Sequence, residues 1–564
     1  MITDANTVPR NACLYAEVCV IGSGAAGIAL ALTLSDKGKS VLLLEAGYDR
    51  EDSRTQALYE GEVSNEKLHS PPDKYRQRRF GGSTPIWGGR CVPFDPIDFD
   101  TRSYVPFSGW PISYKDVSPF YPAANVWAEA GRCQYDADEV FGLASVPMIR
   151  GFVSPVVYTN SLERFSCPTN FSKRYRNRLQ RAVNVRVMLG ANCTAIRLQP
   201  NGQQVQGIDV ATLSGNRFSV NAKMFALAVG GLETPRLLLA SRDVSAAGIG
   251  NEYDVVGRYY LCHIAGSVGL LTIKGSTNVV RHGYEVAPDG VYCRRRLSLA
   301  PSEQRRLGLA NMVARLHFSG IADPSHRNGV LSGLYLAKNL ISYEYGKRLD
   351  DGGTATFATY LRHLRNVLTD PVDTSAFLLH WLTKHTYAER KFPSVILRNK
   401  TNRFALEING EQIPQANSRV VLIDATDELG VRRLQVDWRY SQLDIDSVRR
   451  TLDVFASEFE RCNIGSFQYN RDALGEDLMR YGAFGGHHIG TARMGNDVRT
   501  SVVDANCKVH SVDNLFVAGS AVFPTSSQAN PTLTIIALSL RLADHMARSL
   551  SDVVVSPTVA GLGQ

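Results

Sequence analysis

No run of about 20 apolar residues occurs in this chain, so no membrane-spanning helix is expected. The segment Met1 to Ala16 lacks both the basic head and the apolar centre of a secretory signal. The ten cysteines are scattered, with no Cys-x-x-Cys pair and no cluster. That spacing excludes an iron–sulfur centre, predicts no metal site, and fits reduced thiols in the cytoplasm, the expected location. Charge of one sign is not in large excess either. The 62 basic and 54 acidic side chains leave +8 over 564 residues, and the one dense basic run, Arg76-Gln77-Arg78-Arg79, abuts a glycine loop. Nucleic-acid binding is therefore not expected. Ser526-Ser527 lacks the Gly-x-Ser-x-Gly elbow of a serine hydrolase.

What the chain does hold is glycine in ordered places. Apolar Val18 to Ile21 reads as a strand and leads into Gly22-Ser23-Gly24-Ala25-Ala26-Gly27. Ile28 to Leu34 then reads as a helix and Ser40 to Glu45 as a second strand. In such a βαβ unit Gly22 allows the tight turn, Gly24 lets backbone approach a pyrophosphate, and Gly27 lets helix and strand pack closely. The helix N-terminus then faces the anion. Glu45, 18 residues past Gly27, is placed to accept hydrogen bonds from ribose hydroxyls and to repel a 2′-phosphate.

Further glycine loops follow at Gly81-Gly82-Ser83-Thr84-Pro85-Ile86-Trp87-Gly88-Gly89, at Gly230-Gly231 after an apolar strand from Met224, and at Gly519-Ser520. Glu233-Thr234-Pro235 opens a helix, with proline in its first turn. A chain with this many close-approach loops, and a long excursion after Gly47, suits a flavin better than a nicotinamide, because a flavin ring lies far from its adenosine. Strands are expected at Asn184–Leu198, Ser418–Ile423 and Arg432–Trp438, and a helix at Asp446–Glu460. Residues 350–375 show no readable period.

The C-terminal stretch is the most specific. It reads Gly485-Gly486-His487-His488-Ile489-Gly490-Thr491-Ala492-Arg493-Met494-Gly495, and later Ala529-Asn530-Pro531-Thr532. With Gly22 to Gly47, Phe80 to Phe99 and Ala222 to Leu239, this resembles the glucose–methanol–choline (GMC) oxidoreductases, in the bacterial subset with a His/Asn pair. The resemblance implies FAD as cofactor and an α/β fold: a discontinuous Rossmann-like FAD-binding domain plus an α+β substrate-binding domain with an antiparallel sheet. The expected pieces are 12–100, 165–265 and 482–550 for FAD, 266–481 for substrate, and 101–164 as a covering segment.

The resemblance further implies His487 and Asn530 as the catalytic pair. Gly22, Gly24, Gly27 and Glu45 match the ADP half of the cofactor site, and Gly82, Ser83 and Thr84 the loop beside the flavin. Ala195 matches an adenine contact made through backbone. Gly519, Ser520, Pro531 and Thr532 match positions near the pyrophosphate, ribitol and pyrimidine. Relatives with covalent FAD carry a histidine in a Ser-Thr-His-Trp loop, where this chain has Ser83-Thr84-Pro85-Ile86-Trp87. Non-covalent FAD is expected.

The implied chemistry is oxidation of a CH–OH group, of a sugar, glycoside or other alcohol, to a carbonyl. Flavin N5 takes the hydride. A neutral imidazole takes the hydroxyl proton. Asn530 cannot titrate and would orient the substrate oxygen. His488 would point away from His487 if the segment is extended. His263 reads as structural, and His380 and His385 as solvated or core residues. The competing readings are a protein of this fold acting without net redox (a lyase or light-driven decarboxylase) and a non-catalytic flavin-binding protein. The sequence names neither substrate nor electron acceptor.

Overall fold

Two sheets of opposite character organise the chain. The computed structural model describes residues 1–552 apart from 143–144, 319–320, 323, 339–355, 395–396, 398, 400 and 484. The larger sheet has eight strands. Its parallel part runs Ile2–Asp4, Val185–Leu189, Val41–Glu45, Cys13–Ile21, Arg217–Leu227 and Leu515–Val517. Val205–Ala211 and Asn192–Leu198 extend it antiparallel. Val41 to Leu44 are all buried, as a parallel strand covered on both faces must be. The helix Ala25–Asp36 packs against the C-terminal helix Thr532–Asp552 within one apolar core.

The elements read from the sequence are present with shifted ends, and the strand expected over Asn184–Leu198 is two, Val185–Leu189 and Asn192–Leu198. The first helix starts at Ala25, immediately after the glycine loop, because alanine continues a helix without side-chain cost. The first strand begins at Cys13, where register with Ser219 on its neighbour already holds it. The strand before Gly230-Gly231 spans Arg217–Leu227 and stops short of the glycines.

The second sheet is six-stranded and antiparallel: Gly465–Gln468, His263–Ile273, Arg403–Glu411, Met312–His317, Leu297–Leu299 and Val157–Tyr158. It is amphipathic with period two. Ile264, Val268, Leu406, Ile408, Met312, Ala314 and Leu316 point into a second apolar core shared with the helix Gln442–Arg461. The opposite face carries polar groups. His263 lies across from Glu411, Ala265 from Asn409 and Ser267 from Glu407, while Arg315 flanks Glu407 on the other side.

The end of the segment expected to be a cover is itself sheet. Val157–Tyr158 edges this second sheet, and Leu162–Phe165 joins a four-stranded sheet with Arg90–Cys91, Tyr292–Arg295 and Tyr284–Val286. Within the unreadable stretch, Phe357–Thr369 and Pro371–Trp381 are helices. Residues 350–355 lie outside the described set. His385 stacks on Trp381 with ring centroids 4.0 Å apart. Among the described residues no group of histidines, cysteines and carboxylates is placed to hold a metal ion. No described helix is long and apolar enough to cross a membrane.

Candidate active site

The strand ends of the parallel sheet gather the glycines expected to hold the cofactor. Gly22 has φ +100°, and a Cβ there would come within 2.5 Å of the Ala228 carbonyl oxygen. A Cβ on Gly27 would come within 1.8 Å of the Gly22 oxygen. Neither position admits a side chain. Gly24 is different: a Cβ there would meet nothing within 4 Å. It caps the helix Ala25–Asp36 with no side-chain hydrogen bond, so the first-turn N–H groups are left for an anion.

Gly230 and Gly519 repeat the pattern. They follow the adjacent strands Arg217–Leu227 and Leu515–Val517, and a Cβ on either would enter open space. Three neighbouring parallel strands thus each lead into a glycine whose Cβ would meet no other atom, at the strand ends where open α/β sheets bind ligands. These residues fit a dinucleotide.

Glu45 ends its strand with its carboxylate buried. Oε2 accepts from Ser23 N at 3.0 Å and from Ser23 Oγ at 2.6 Å, and Oε1 accepts from Gly47 N at 2.8 Å. Burial raises its pKa, against those hydrogen bonds and Arg78. Ala191 N donates to the Glu45 carbonyl at 2.8 Å, which brings the strand of Ala195, Asn192–Leu198, beside the glutamate.

The loop of Gly82, Ser83 and Thr84 lies directly on the first glycine turn. A Cβ on Gly82 would come within 2.9 Å of Gly24 Cα. Thr84 Oγ1 donates to the Gly81 carbonyl at 2.7 Å and accepts from Phe171 N at 3.0 Å. Its hydroxyl holds the loop together. Ser83 Oγ accepts from Gln77 N.

His487 and Asn530 meet. The Asn530 Nδ2 donates to His487 Nε2 across 3.1 Å. Asn530 and Pro531 immediately precede the helix Thr532–Asp552, and the Pro531 carbonyl accepts from Ile535 N at 2.8 Å. Ser520 Oγ donates to the His488 carbonyl at 2.7 Å, and Gly490 N donates to the Ser520 carbonyl at 3.0 Å. The loops of positions 487–490 and 519–520 are therefore one unit.

The residue that sequence reasoning missed is His263. Its Nδ1 lies 2.9 Å from His487 Nδ1, the rings edge to face at 4.8 Å. Register explains the meeting. Leu261 and Ile489 exchange both backbone hydrogen bonds, at 2.9 and 3.1 Å. Two residues along an antiparallel pair, positions 263 and 487 face one another. The same alternation sends His488 to the other side, where its Nδ1 bonds Tyr260 Oη at 2.7 Å and Tyr260 Oη bonds His69 Nε2 at 2.8 Å.

Because Nε2 of His487 accepts from Asn530, a neutral ring carries its proton on Nδ1 and donates it to His263. Burial pulls His263 down to about 4, so it stays an acceptor. The carbonyls of Ser526, Ala529 and Ser527 oppose that shift, although none reaches its buried Nε2 at hydrogen-bonding geometry.

The turn that delivers Asn530 is anchored on two aspartates. Ser527 Oγ donates to Asp98 Oδ2 at 2.6 Å and Gln528 Nε2 to Asp95 Oδ2 at 3.0 Å. Asn311 Nδ2 bridges both carboxylates at 2.9 Å, and Asn409 Nδ2 donates to the Gln528 carbonyl. Burial, then Asp95 and Glu411, push Asp98 up to about 8. No local pattern marked Asp95 and Asp98. They sit in a proline-rich stretch more than 400 residues from the turn they hold.

Comparison with known proteins agrees with this geometry. A family model described as GMC oxidoreductase matches residues 414–539, which include His487 and Asn530. One described as FAD binding domain matches residues 17–56. The chain is 24% identical to 2-methyl-1,2-propanediol dehydrogenase of Mycolicibacterium austroafricanum, over 95% of this chain and 96% of that protein. It is 24% identical to the fructose dehydrogenase large subunit of Gluconobacter japonicus, over 96% and 99%. Among solved structures, pyridoxine 4-oxidase from Mesorbium loti shares the fold, with TM-score 0.52 and 18% identity over 94% of this chain and 99% of that one. These matches support membership of the GMC oxidoreductase family and indicate an FAD-dependent oxidoreductase.

Proposed function

We propose that this enzyme oxidises a CH–OH group of an alcohol or sugar to a carbonyl, with His487 as general base and Asn530 as the residue that orients the substrate oxygen. The observation that carries this reading is the linked set Asn530–His487–His263, at one end of the polar face of the second sheet. Relatives named for a propanediol and for fructose support an alcohol or sugar substrate. FAD, when bound, supplies the hydride acceptor at flavin N5.

The protein's part is to place a proton acceptor and a hydrogen-bond donor on the same hydroxyl. With Nδ1–H committed to His263, the basic lone pair of His487 lies on Nε2, the nitrogen turned toward Asn530. A substrate hydroxyl entering between them can give its proton to Nε2 and accept from Asn530 Nδ2. Once protonated, His487 still donates through Nδ1 to His263, which is too deeply buried to take a proton of its own. The base is then reset by loss of one proton from Nε2. General-base assistance of this kind is worth about 10²–10⁴ in rate, roughly 3–5 kcal/mol of barrier.

The cofactor is held non-covalently in this reading, because Pro85 and Ile86 supply no attachment atom in the flavin loop. The FAD-binding pieces 12–100, 165–265 and 482–550 then cradle it, with 266–481 over the substrate.

The test is anaerobic reduction of the bound flavin by a panel of sugars, glycosides and simple alcohols. His487→Ala should slow bleaching by the general-base factor while FAD stays bound, and Asn530→Ala should slow it through misorientation. Undiminished bleaching in His487→Ala would remove the base assignment.

A further inference from the structure

Where the polar face of the second sheet meets the four-stranded sheet, buried positive charge is in surplus. Arg90, Arg294 and Arg315 gather around only two carboxylates, Glu163 and Glu407. Arg315 engages both, through Nη1 to Glu163 Oε1 at 2.5 Å and Nε to Glu407 Oε2 at 3.1 Å. Arg294 reaches Glu407 Oε2 at 3.4 Å and donates to the Leu316 carbonyl at 2.7 Å. Burial alone would raise Glu407, but Arg315, His317 and Arg294 hold it well below the usual carboxylate range. Both carboxylates are therefore ionised and already engaged.

Arg90 is left over. Its Nε lies 3.4 Å from Glu163 Oε2, yet neither atom makes a hydrogen bond. Among the described residues its guanidinium has no hydrogen-bond partner. A fourth arginine, Arg296, is 4% exposed and spends Nη1 on the Gln528 amide oxygen at 2.8 Å, with no carboxylate against it. Three buried arginines that share two carboxylates leave one positive charge uncompensated, which is costly.

Arg90 and Glu407 lie deep in the protein, yet 22% and 19% of their side-chain surface stays accessible. Ala265 and Ser267, on the same sheet face, are likewise only partly buried, while their neighbours Ile264, Gly266 and Val268 are buried. These side chains therefore keep some surface open to a small molecule. The small side chains at 265 and 267 leave room between His263 and Glu407, which sit four residues apart along the strand pair, about 13 Å at extended rise. Arg90 also follows directly on the Gly82–Gly89 loop, and its charge is felt at His263. Arg296 touches the residue two before Asn530. Arg90 and Arg296 thus tie the cationic cluster to the neighbourhood of the His487–Asn530 pair.

We infer that the substrate is an alcohol or sugar bearing a carboxylate, which Arg90 receives in a fork-to-fork contact. This rests on the alcohol-oxidising reading and narrows its substrate class. The guanidinium fork matches a carboxylate in two parallel hydrogen bonds, and the span to His263 separates the acid from the oxidised carbon by a sugar ring or a short glycoside. Neutral sugars leave the surplus charge uncompensated, and amino sugars add to it.

The experiment uses the FAD-loaded enzyme, titrated anaerobically with glucuronate, glucose, glucosamine and the phenyl glycosides of the first two. Flavin bleaching and the shift of the oxidised flavin spectrum are both followed. In the wild type the acids should act at about 10- to 100-fold lower concentration than their neutral partners. Arg90→Gln should collapse that ratio, and Arg90→Lys, which keeps the charge, should restore part of it. Bound FAD reports that each variant is folded. Acids no better than neutral sugars, or a preference that survives Arg90→Gln, would overturn the inference. Bleaching by any neutral sugar would still leave the alcohol-oxidising reading standing. Acids that shift the spectrum tightly while nothing bleaches the flavin would keep the anion site and defeat that reading instead.

Discussion

At the residue scale the three glycines of the first turn do different work, and substitution separates them. Gly27 has no room because its Cβ would strike the Gly22 carbonyl. Gly27→Ala should therefore destabilise the apoprotein, by a backbone shift costing about 1–3 kcal/mol. Gly24 has an ordinary negative φ and open space around it. Gly24→Val should leave the apoprotein melting temperature nearly unchanged and abolish FAD binding, since its side chain would occupy the lane meant for the pyrophosphate. Thermal melts of apoprotein together with FAD titration check both. Equal FAD affinity in Gly24→Val would mean that the lane is not the cofactor's.

At the scale of the element, what matters is how a loop delivers a side chain. The His487 loop is pinned by the Leu261–Ile489 backbone pair and turns at Gly490, whose φ is +86°. A Cβ at Gly490 would come within 2.4 Å of the Tyr259 carbonyl. Gly490→Ala should push the loop away from the strand that carries His263, uncoupling the two imidazoles. The expected result is at least a 10-fold loss in flavin reduction with FAD still bound, because displacements near 1 Å can cost about 10²-fold. A rate within twofold of wild type would show that the pairing does not position the base.

Legibility of the sequence divides along the same line. The βαβ unit could be read because each of its signals is local: apolar runs, glycines at fixed offsets, a glutamate at the strand end. His487 and Asn530 could be read because their neighbours form short motifs. His263 could not, since nothing near Cys262-His263 differs from an ordinary strand. Its role comes from a partner 224 residues away, brought opposite by one antiparallel pair. Asp98 and Arg90 were hidden for the same reason.

At the scale of the whole molecule, three buried histidines make the fold sensitive to acid. Burial lowers His69 and His263 to about 4 and holds His488 well below the usual imidazole value. In the unfolded chain each titrates near about 6.5. The fold keeps them neutral, so their contribution is present above about 6.5 and is lost as pH falls toward about 4. The melting temperature of the FAD-saturated enzyme should be lower at about pH 5 than at about pH 7, because the three histidines outweigh Asp98, whose carboxyl, raised to about 8, acts in the opposite sense. His69→Gln should flatten the slope. A wild-type profile flat across that window would contradict the assignment. The non-covalent reading is checked on the same scale: heat precipitation should release the yellow cofactor into the supernatant, and colour retained in the pellet would contradict it.

The sequence by itself pointed to a dinucleotide at the end of a βαβ unit, and it supplied the imidazole and the amide that the proposed chemistry uses. Those are properties of contiguous residues, where backbone conformation follows from a few side chains in order. Only the tertiary structure decided which face of the second sheet looks inward, which histidine lies against which, and where three arginines share two carboxylates. Charge balance and tautomer depend on groups gathered from distant segments, and no stretch of chain carries that information until it has folded.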